Sequence, residues 1–284
     1  MTALPSAHAH AGPGAWLPVA ALAAVAGGYL LLAARRRRAG RAWSRRRSRS
    51  FLTGCALLAW ATGPDLLPFA ESDFRGHMLQ HLLIGMLAPL ALALAAPITL
   101  LLGTLPTSWG RRLGRALRSR PARLLAHPVT ALLLTAGGLI ALYATPLYAL
   151  TATTPWAHHL VHVHFLAAGY LFAWVIAGVD PAPHPPSVPF RLVVLGAAIT
   201  THAVLSQLMY AGLFIDLPVP AEQRRGGAEL MYYGGDIAEL LLALALLATW
   251  RPRRPRPEQH RSNSPAGESI TPAFPRASAP GPPQ

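Results

Sequence analysis

The chain has 284 residues, 52% of them hydrophobic and only 13% charged, a balance that excludes an ordinary soluble domain and points to a membrane protein. Its formal net charge of +14, from 25 basic and 11 acidic residues, comes from arginine alone, held in short blocks between apolar runs. Blocks of that kind orient membrane helices and do not make a nucleic-acid surface, so no nucleic-acid partner is expected. The single cysteine, Cys55, lies in an apolar run, which excludes an intramolecular disulfide or a thiolate cluster and reads as a small buried hydrophobe.

Seven apolar runs are long enough to cross ~30 Å of hydrocarbon, which takes roughly 20 helical residues each. They fall near residues 16–34, 51–70, 78–102, 128–150, 156–179, 190–214 and 229–250. None alternates like a barrel strand, so the pattern predicts an all-α polytopic membrane protein, a bundle of seven transmembrane helices. Between the first two runs stands "RRRRAGRAWSRRRSRS", and after the third stands "GRRLGRALRSRPAR"; both connections are expected on the cytoplasmic side. Seven spans then place the N-terminus outside and the basic C-terminal tail in the cytoplasm. The expected division is an exported tail at 1–15, a membrane domain at 16–250 and a disordered Pro-rich cytoplasmic tail at 251–284.

Ionisable residues inside membrane spans are expensive and mark function. The third run opens with His77, Met78 and His81, which share one helical face. The fifth, "WAHHLVHVHF", puts His158, His159 and His162 on a similar arc, with His164 pointing away. The sixth carries His202, Ser206 and Met209 on one stripe, and the seventh carries Met231, Tyr232, Asp236 and Glu239. All of these lie in the half of the bundle expected to face outward. His8 and His10 in the exported tail are on the same side.

Paired histidines at i and i+4, level on two helices with methionines alongside, suit metal ligation by His77, His81, His158 and His162. Met78, His202 and Met209 are weaker candidates, since methionine also fills gaps in bundles. Asp236, Glu239 and Tyr232 are expected to orient the imidazoles through hydrogen bonds. Imidazole with thioether suits copper, His with Asp suits zinc, and facing histidines suit a haem iron; the residues alone leave these open. Pro89 and Pro97 in the third run are expected to kink it and open space beside the histidines.

Three stretches, "HMLQHLLIGMLAPLALALAAP", "HHLVHVHFLAAGYLFAWVIAGVDP" and "AEQRRGGAELMYYGGDIAEL", resemble the CtaG family of multi-pass cytochrome c oxidase assembly factors, associated with caa-type oxidases. The resemblance covers about residues 15–250. His77, His81, Pro89 and Pro97 fall on the family's third-span pattern. His158, His162, His164, Gly169, Phe172 and the Asp180-Pro181 turn fall on the fifth, and Gln223, Gly226, Gly227 and Met231 precede the last. Tyr232 stands where the family usually has tryptophan, and Glu222 where it has aspartate. The resemblance implies a non-enzymatic factor of the bacterial cell membrane that handles copper, with oxidase subunits as partners and the lipid bilayer around it. A haem-binding redox protein is the alternative.

Overall fold

A computed structural model describes residues 16–64, 69, 73–182, 186–215 and 217–250. The two tails expected at 1–15 and 251–284 lie outside the described residues, as do His8 and His10. The membrane domain is helical throughout, with no strand among the described residues.

Helix α1 (Leu17–Arg38) ends in four arginines, and α2 (Arg45–Thr62) begins where the Ser44 side chain accepts a hydrogen bond from the Arg46 amide. An unbroken run from Phe74 to Leu94 contains α3 (Phe74–Leu82), one π turn at Leu83–Leu87, and α4 (Ala88–Leu94). There follow α5 (Pro97–Thr104), α6 (Thr107–Leu117), α7 (Arg120–Leu125), α8 (Pro128–Tyr143) and α9 (Leu147–Thr153). The long helices α10 (Pro155–Ala177), α11 (Val188–Ala211) and α12 (Ala221–Thr249) complete the domain.

Five of these runs are long and apolar enough to cross a membrane: α1, α3 with α4, α10, α11 and α12. A sixth is obtained if α8 and α9 count as one span, bent by 74° at the break containing Pro146. The remaining expected span, 51–70, corresponds to α2. Four arginines, Arg45, Arg46, Arg47 and Arg49, occupy its first turns, and the apolar stretch from Phe51 to Thr62 is short for a bilayer. The last helix starts eight residues earlier than the predicted 229, because "AEQRRGGAEL" folds as helix despite its charges.

The two prolines of the third run act differently. Pro97 ends the run outright: Ala96 takes a left-handed conformation (φ 53°) and Pro97 opens a new helix. Pro89 stays inside the helix. It has no N–H to offer the Gly85 carbonyl four residues back, and its ring would crowd that oxygen. The chain relieves the conflict with the π turn, in which the Ala88 amide reaches back five residues to the Leu83 carbonyl. The freed Gly85 carbonyl faces α10 at Gly169, where a Cβ would stand only 1.9 Å from the oxygen. Glycine at 169 is therefore what lets α10 lie against the π turn.

A buried carboxylate pins the far end of the run. Asp180 is 4% exposed and accepts hydrogen bonds from the Ile98 amide (3.0 Å) and the Thr99 amide (2.8 Å) at the start of α5. Nearby, Arg41 donates to the Gly103 carbonyl (3.2 Å), so the arginine-rich ends of α1 and α2 gather beside α5. The start of α3, with its histidines, lies at the opposite end of the run. Around that start an apolar cluster gathers Phe74, Tyr143, Tyr148, Phe165, Leu205 and Met209, while a second cluster with Phe172, Trp174, Leu195 and Leu246 fills the other half. Cys55 is buried against α1 and α5, as expected for a small hydrophobe.

Candidate functional site

The first turns of α3 and α10 face each other, and that juxtaposition brings four imidazoles together. Asp73 starts α3 by accepting from the Arg75 amide (2.8 Å), and the Gln223 side chain on α12 accepts from the Phe74 amide (3.3 Å). One turn in, the His77 and His81 rings lie 4.1 Å apart between centroids. On α10 the His158 and His162 rings repeat the spacing at 4.2 Å. Across the gap, His77 stands 6.3 Å from His158, and His81 stands 5.4 Å from His162, edge to face.

Three nitrogens of this cluster, Nε2 of His77, His81 and His162, are shut off from solvent with no hydrogen-bond partner. Buried polar atoms are rarely left so, and three in one place mark the cluster as a candidate site. The donors are of the right kind for a copper ion, since imidazole nitrogen and thioether sulfur both bind it well. The rings meet mainly in cross-helix pairs. Among the described residues no group of three His, Cys, Asp or Glu side chains is drawn together tightly enough to hold one ion.

Two residues absent from the sequence-derived candidates complete the site. The Tyr143 hydroxyl from α8 stands 3.7 Å from Met78 Sδ and 3.4 Å from His81 Nδ1. The hydroxyl donates to the sulfur, and its oxygen shares the second contact with His81 Nδ1, whose direction follows the tautomer of the ring. With the ring proton on Nδ1, the lone pair of His81 is left on Nε2, the atom without a partner. Tyr148 from α9 packs edge-on against His77, with ring centroids 5.1 Å apart. The signal for both was present in "LYATPLY": a tyrosine needs a partner for its hydroxyl when buried, and Pro146 between them turns the second back toward the first.

The other predicted residues go elsewhere. His202 on α11 and Glu239 on α12, each 5% exposed, face each other with Nδ1 and Oε1 3.8 Å apart. Of the candidate histidines, Glu239 thus faces His202 on α11. His202 gets this close because α12 presents Gly235, where a Cβ would meet its ring at 1.8 Å. Met209 is wholly buried in the apolar cluster and fills space there. Tyr232 is not beside the histidines either; it lines a surface groove with Ser206, Tyr210 and Tyr233. Asp236 is half-buried one turn before Glu239. His159 is exposed, and His164 turns away to the Leu134 carbonyl on α8 (3.1 Å).

Behind the cluster lies a cavity of about 70 Å³, lined among others by Met78, His81, Met86, His202, Met231 and Glu239. Roughly 10–15 Å³ of such space holds one water, so this one has room for several small species. It links the two polar groups: His81 belongs to the imidazole cluster and also forms the cavity wall.

An all-helical domain with five or six helices long and apolar enough to cross a bilayer is a polytopic membrane protein, here with four imidazoles gathered between two of its helices. Comparison with known families matches residues 27–253 to the cytochrome c oxidase caa3 assembly factors, and the chain belongs to that family. Uncharacterized proteins of Mycobacterium bovis and Mycobacterium tuberculosis are each 31% identical over 243 residues, covering 78% of this chain and 37% of theirs. One from Mycobacterium leprae is 30% identical over 246 residues with the same coverage. The chain therefore spans little more than a third of the length of these relatives. No solved structure matches it.

Proposed function

We propose that this protein serves the assembly of a caa3-type cytochrome c oxidase in the bacterial cell membrane by holding copper at the imidazole cluster and passing it to an oxidase subunit. The carrying observation is the set of three buried, unpartnered Nε2 atoms on His77, His81 and His162. His158 completes the cross-helix pairs, and Met78 offers sulfur at the edge. Cu(I) tolerates low coordination numbers and takes nitrogen and thioether donors, so paired imidazoles suit it better than they suit an ion that demands a closed cage.

The protein's part is to bind and release. Tyr143 steadies the His81 ring, the apolar wall of Phe74, Tyr148 and Phe165 excludes water, and the cluster's position in the first turns of α3 and α10 keeps it near one membrane face. With the arginine blocks at the opposite end taken as cytoplasmic, that face is the outer one, where a docked oxidase subunit exchanges its own ligands for these. Counting α2 as a seventh span gives the same orientation. The role is one of delivery, without catalysis.

Packing favours copper over a haem clamped by His81 and His162: their rings meet edge to face with centroids 5.4 Å apart, and Phe165 packs 4.9 Å from the His81 ring, which crowds a flat macrocycle. To test the copper reading, the protein is purified in mild detergent, loaded anaerobically with Cu(I) and desalted. The His81→Ala/His162→Ala variant should remain inserted and monodisperse yet lose copper from the cluster, and cells carrying it should accumulate under-metallated oxidase. Copper content and oxidase metallation both equal to wild type would overturn the reading.

A further inference from the structure

Helices α6 and α7 take no part in the scheme above, and neither holds a buried residue. They join the end of α5 to the start of α8. The end of α5 lies beside the arginine-rich end of α1, and α8 runs from Pro128 back to Tyr143 at the histidines, so α6 and α7 keep to the membrane face opposite the imidazoles.

The sequence of α6 divides into two faces. Arg111, Arg112, Arg115 and the following Arg118 fall within an arc of roughly 120°, and Trp109, Leu113, Ala116 and Leu117 fall opposite them. Leu117 packs on the second apolar cluster and seats the helix against the bundle. Trp109, however, is 57% exposed, and on α7 Leu124 and Leu125 are 65% and 45% exposed. The Arg112 guanidinium stands 5.0 Å from the centre of the Trp109 ring, where the basic face meets the apolar one. A short helix with arginines on one side and tryptophan and leucine on the other is suited to lie in the interface of a bilayer.

Charge names the occupant of the basic face. No aspartate or glutamate occurs in residues 1–64 or 74–179. Asp180, at this end of the bundle, is already engaged by the Ile98 and Thr99 amides. The tail at 251–284 holds six arginines and two glutamates, so its charge repels this face. With Arg120 and Arg123 of α7, six exposed guanidiniums stand here with no carboxylate paired to them among the described residues. Guanidinium binds phosphate through paired N–H donors and keeps its charge at any physiological pH. We propose that α6 and α7 form a site for anionic phospholipids: Trp109, Leu124 and Leu125 enter the acyl boundary, and Arg111, Arg112 and Arg115 bind the phosphates of acidic headgroups. The site stands independently of the copper reading.

To test it, the full chain carrying Cys55→Ala and Ala116→Cys, with a fluorophore on the new thiol, is reconstituted in vesicles of phosphatidylcholine and phosphatidylglycerol, one lipid brominated on its acyl chains at a time. Ala116 is exposed and lies on the Trp109 side of α6. At equal mole fraction, quenching should report an enrichment of phosphatidylglycerol of about 3-fold or more at low salt, falling toward one as salt screens the headgroups. Arg111→Gln/Arg112→Gln/Arg115→Gln should abolish the enrichment while the label stays in lipid, and copper retention in that variant should equal wild type, which separates this site from the imidazole cluster. Equal quenching by the two lipids before the glutamines are introduced, or an enrichment that survives them, would overturn the proposal. So would a label reached by aqueous iodide and untouched by bromolipid, an outcome that gives the basic face to a soluble acidic partner instead.

Discussion

The Tyr143 hydroxyl lies 3.4 Å from His81 Nδ1, so α8 holds the ring on which the proposed copper site depends. The phenol also reaches Met78 Sδ at 3.7 Å, so it steadies two of the proposed donors at once. Phenylalanine keeps the ring and removes the oxygen. Tyr143→Phe should fold normally and weaken Cu(I) retention at the imidazole cluster by about 10-fold or more, the usual loss when a partner of a metal-binding histidine is removed. Chelator competition measures it, and an affinity equal to wild type would mean that Tyr143 only packs.

Gly169 and Gly27 make a matched pair. A Cβ at 169 would strike the Gly85 carbonyl, which is backbone and cannot step aside, while a Cβ at 27 meets nothing within 4 Å. Gly169→Ala should destabilise the protein by about 1–3 kcal/mol as α10 is pushed off the π turn. It should loosen the imidazole cluster as well, since His162 rides on the same helix. Gly27→Ala should be neutral or stabilising by up to ~1 kcal/mol. Thermal unfolding in detergent of the two variants side by side gives the comparison.

Asp180 predicts a loss confined to the opposite end. Its carboxylate holds the Ile98 and Thr99 amides, and alanine would leave these donors without their acceptor inside the protein. Asp180→Ala should cost at least ~2 kcal/mol in stability. Copper stoichiometry of whatever protein folds should be unchanged, because the imidazoles lie at the far end of the α3–α4 run. Loss of copper without loss of stability would contradict this division of labour.

Of this architecture, the helical class and the two histidine faces were open to reading from residue order; that Asp180 holds the start of α5 was not. Histidines four apart on a helix must share a face, whatever surrounds them. The partners of α12 were not legible, because they depend on which neighbour its small residues admit: Gly235 leaves room for His202, which faces Glu239. Tyr232, three residues earlier, consequently faces a groove beside α11. Nor did hydropathy distinguish the two prolines of the third run. One ended a helix and the other was absorbed by a local change of winding, and the difference depends on whether a facing helix can accept the displaced carbonyl.

At the membrane surface, pH should act through Asp73. Its side chain caps α3 and pairs with Arg75 (2.7 Å), and the hydrogen bond from the guanidinium holds its carboxyl below the usual value of 3.8. A carboxyl lowered on folding adds stability that is complete above the unfolded value and disappears as pH falls through the folded one. The group is solvent-screened, so the effect is within ~1 kcal/mol. Asp73→Asn should melt slightly below wild type at neutral pH, and the gap should narrow as pH falls below 3.8 and close once the folded carboxyl is protonated. A gap independent of pH would assign the cap to geometry alone.

The π turn at Leu83–Leu87 amounts to one surplus residue between the histidine-bearing and the arginine-facing halves of a single rod. Its slack winding absorbs the ~100° that one residue adds in an ordinary helix, so deleting one of those five positions would restore regular winding and leave the two halves in nearly their present azimuth. Tightening the turn with the residue count kept would instead rotate one half by ~100°, and with the lower half tied to its neighbours through Gly85 and Asp180 that rotation would fall on His77 and His81, swinging them off the seam shared with α10. The winding of this one turn is thus a phase setting for the histidine face.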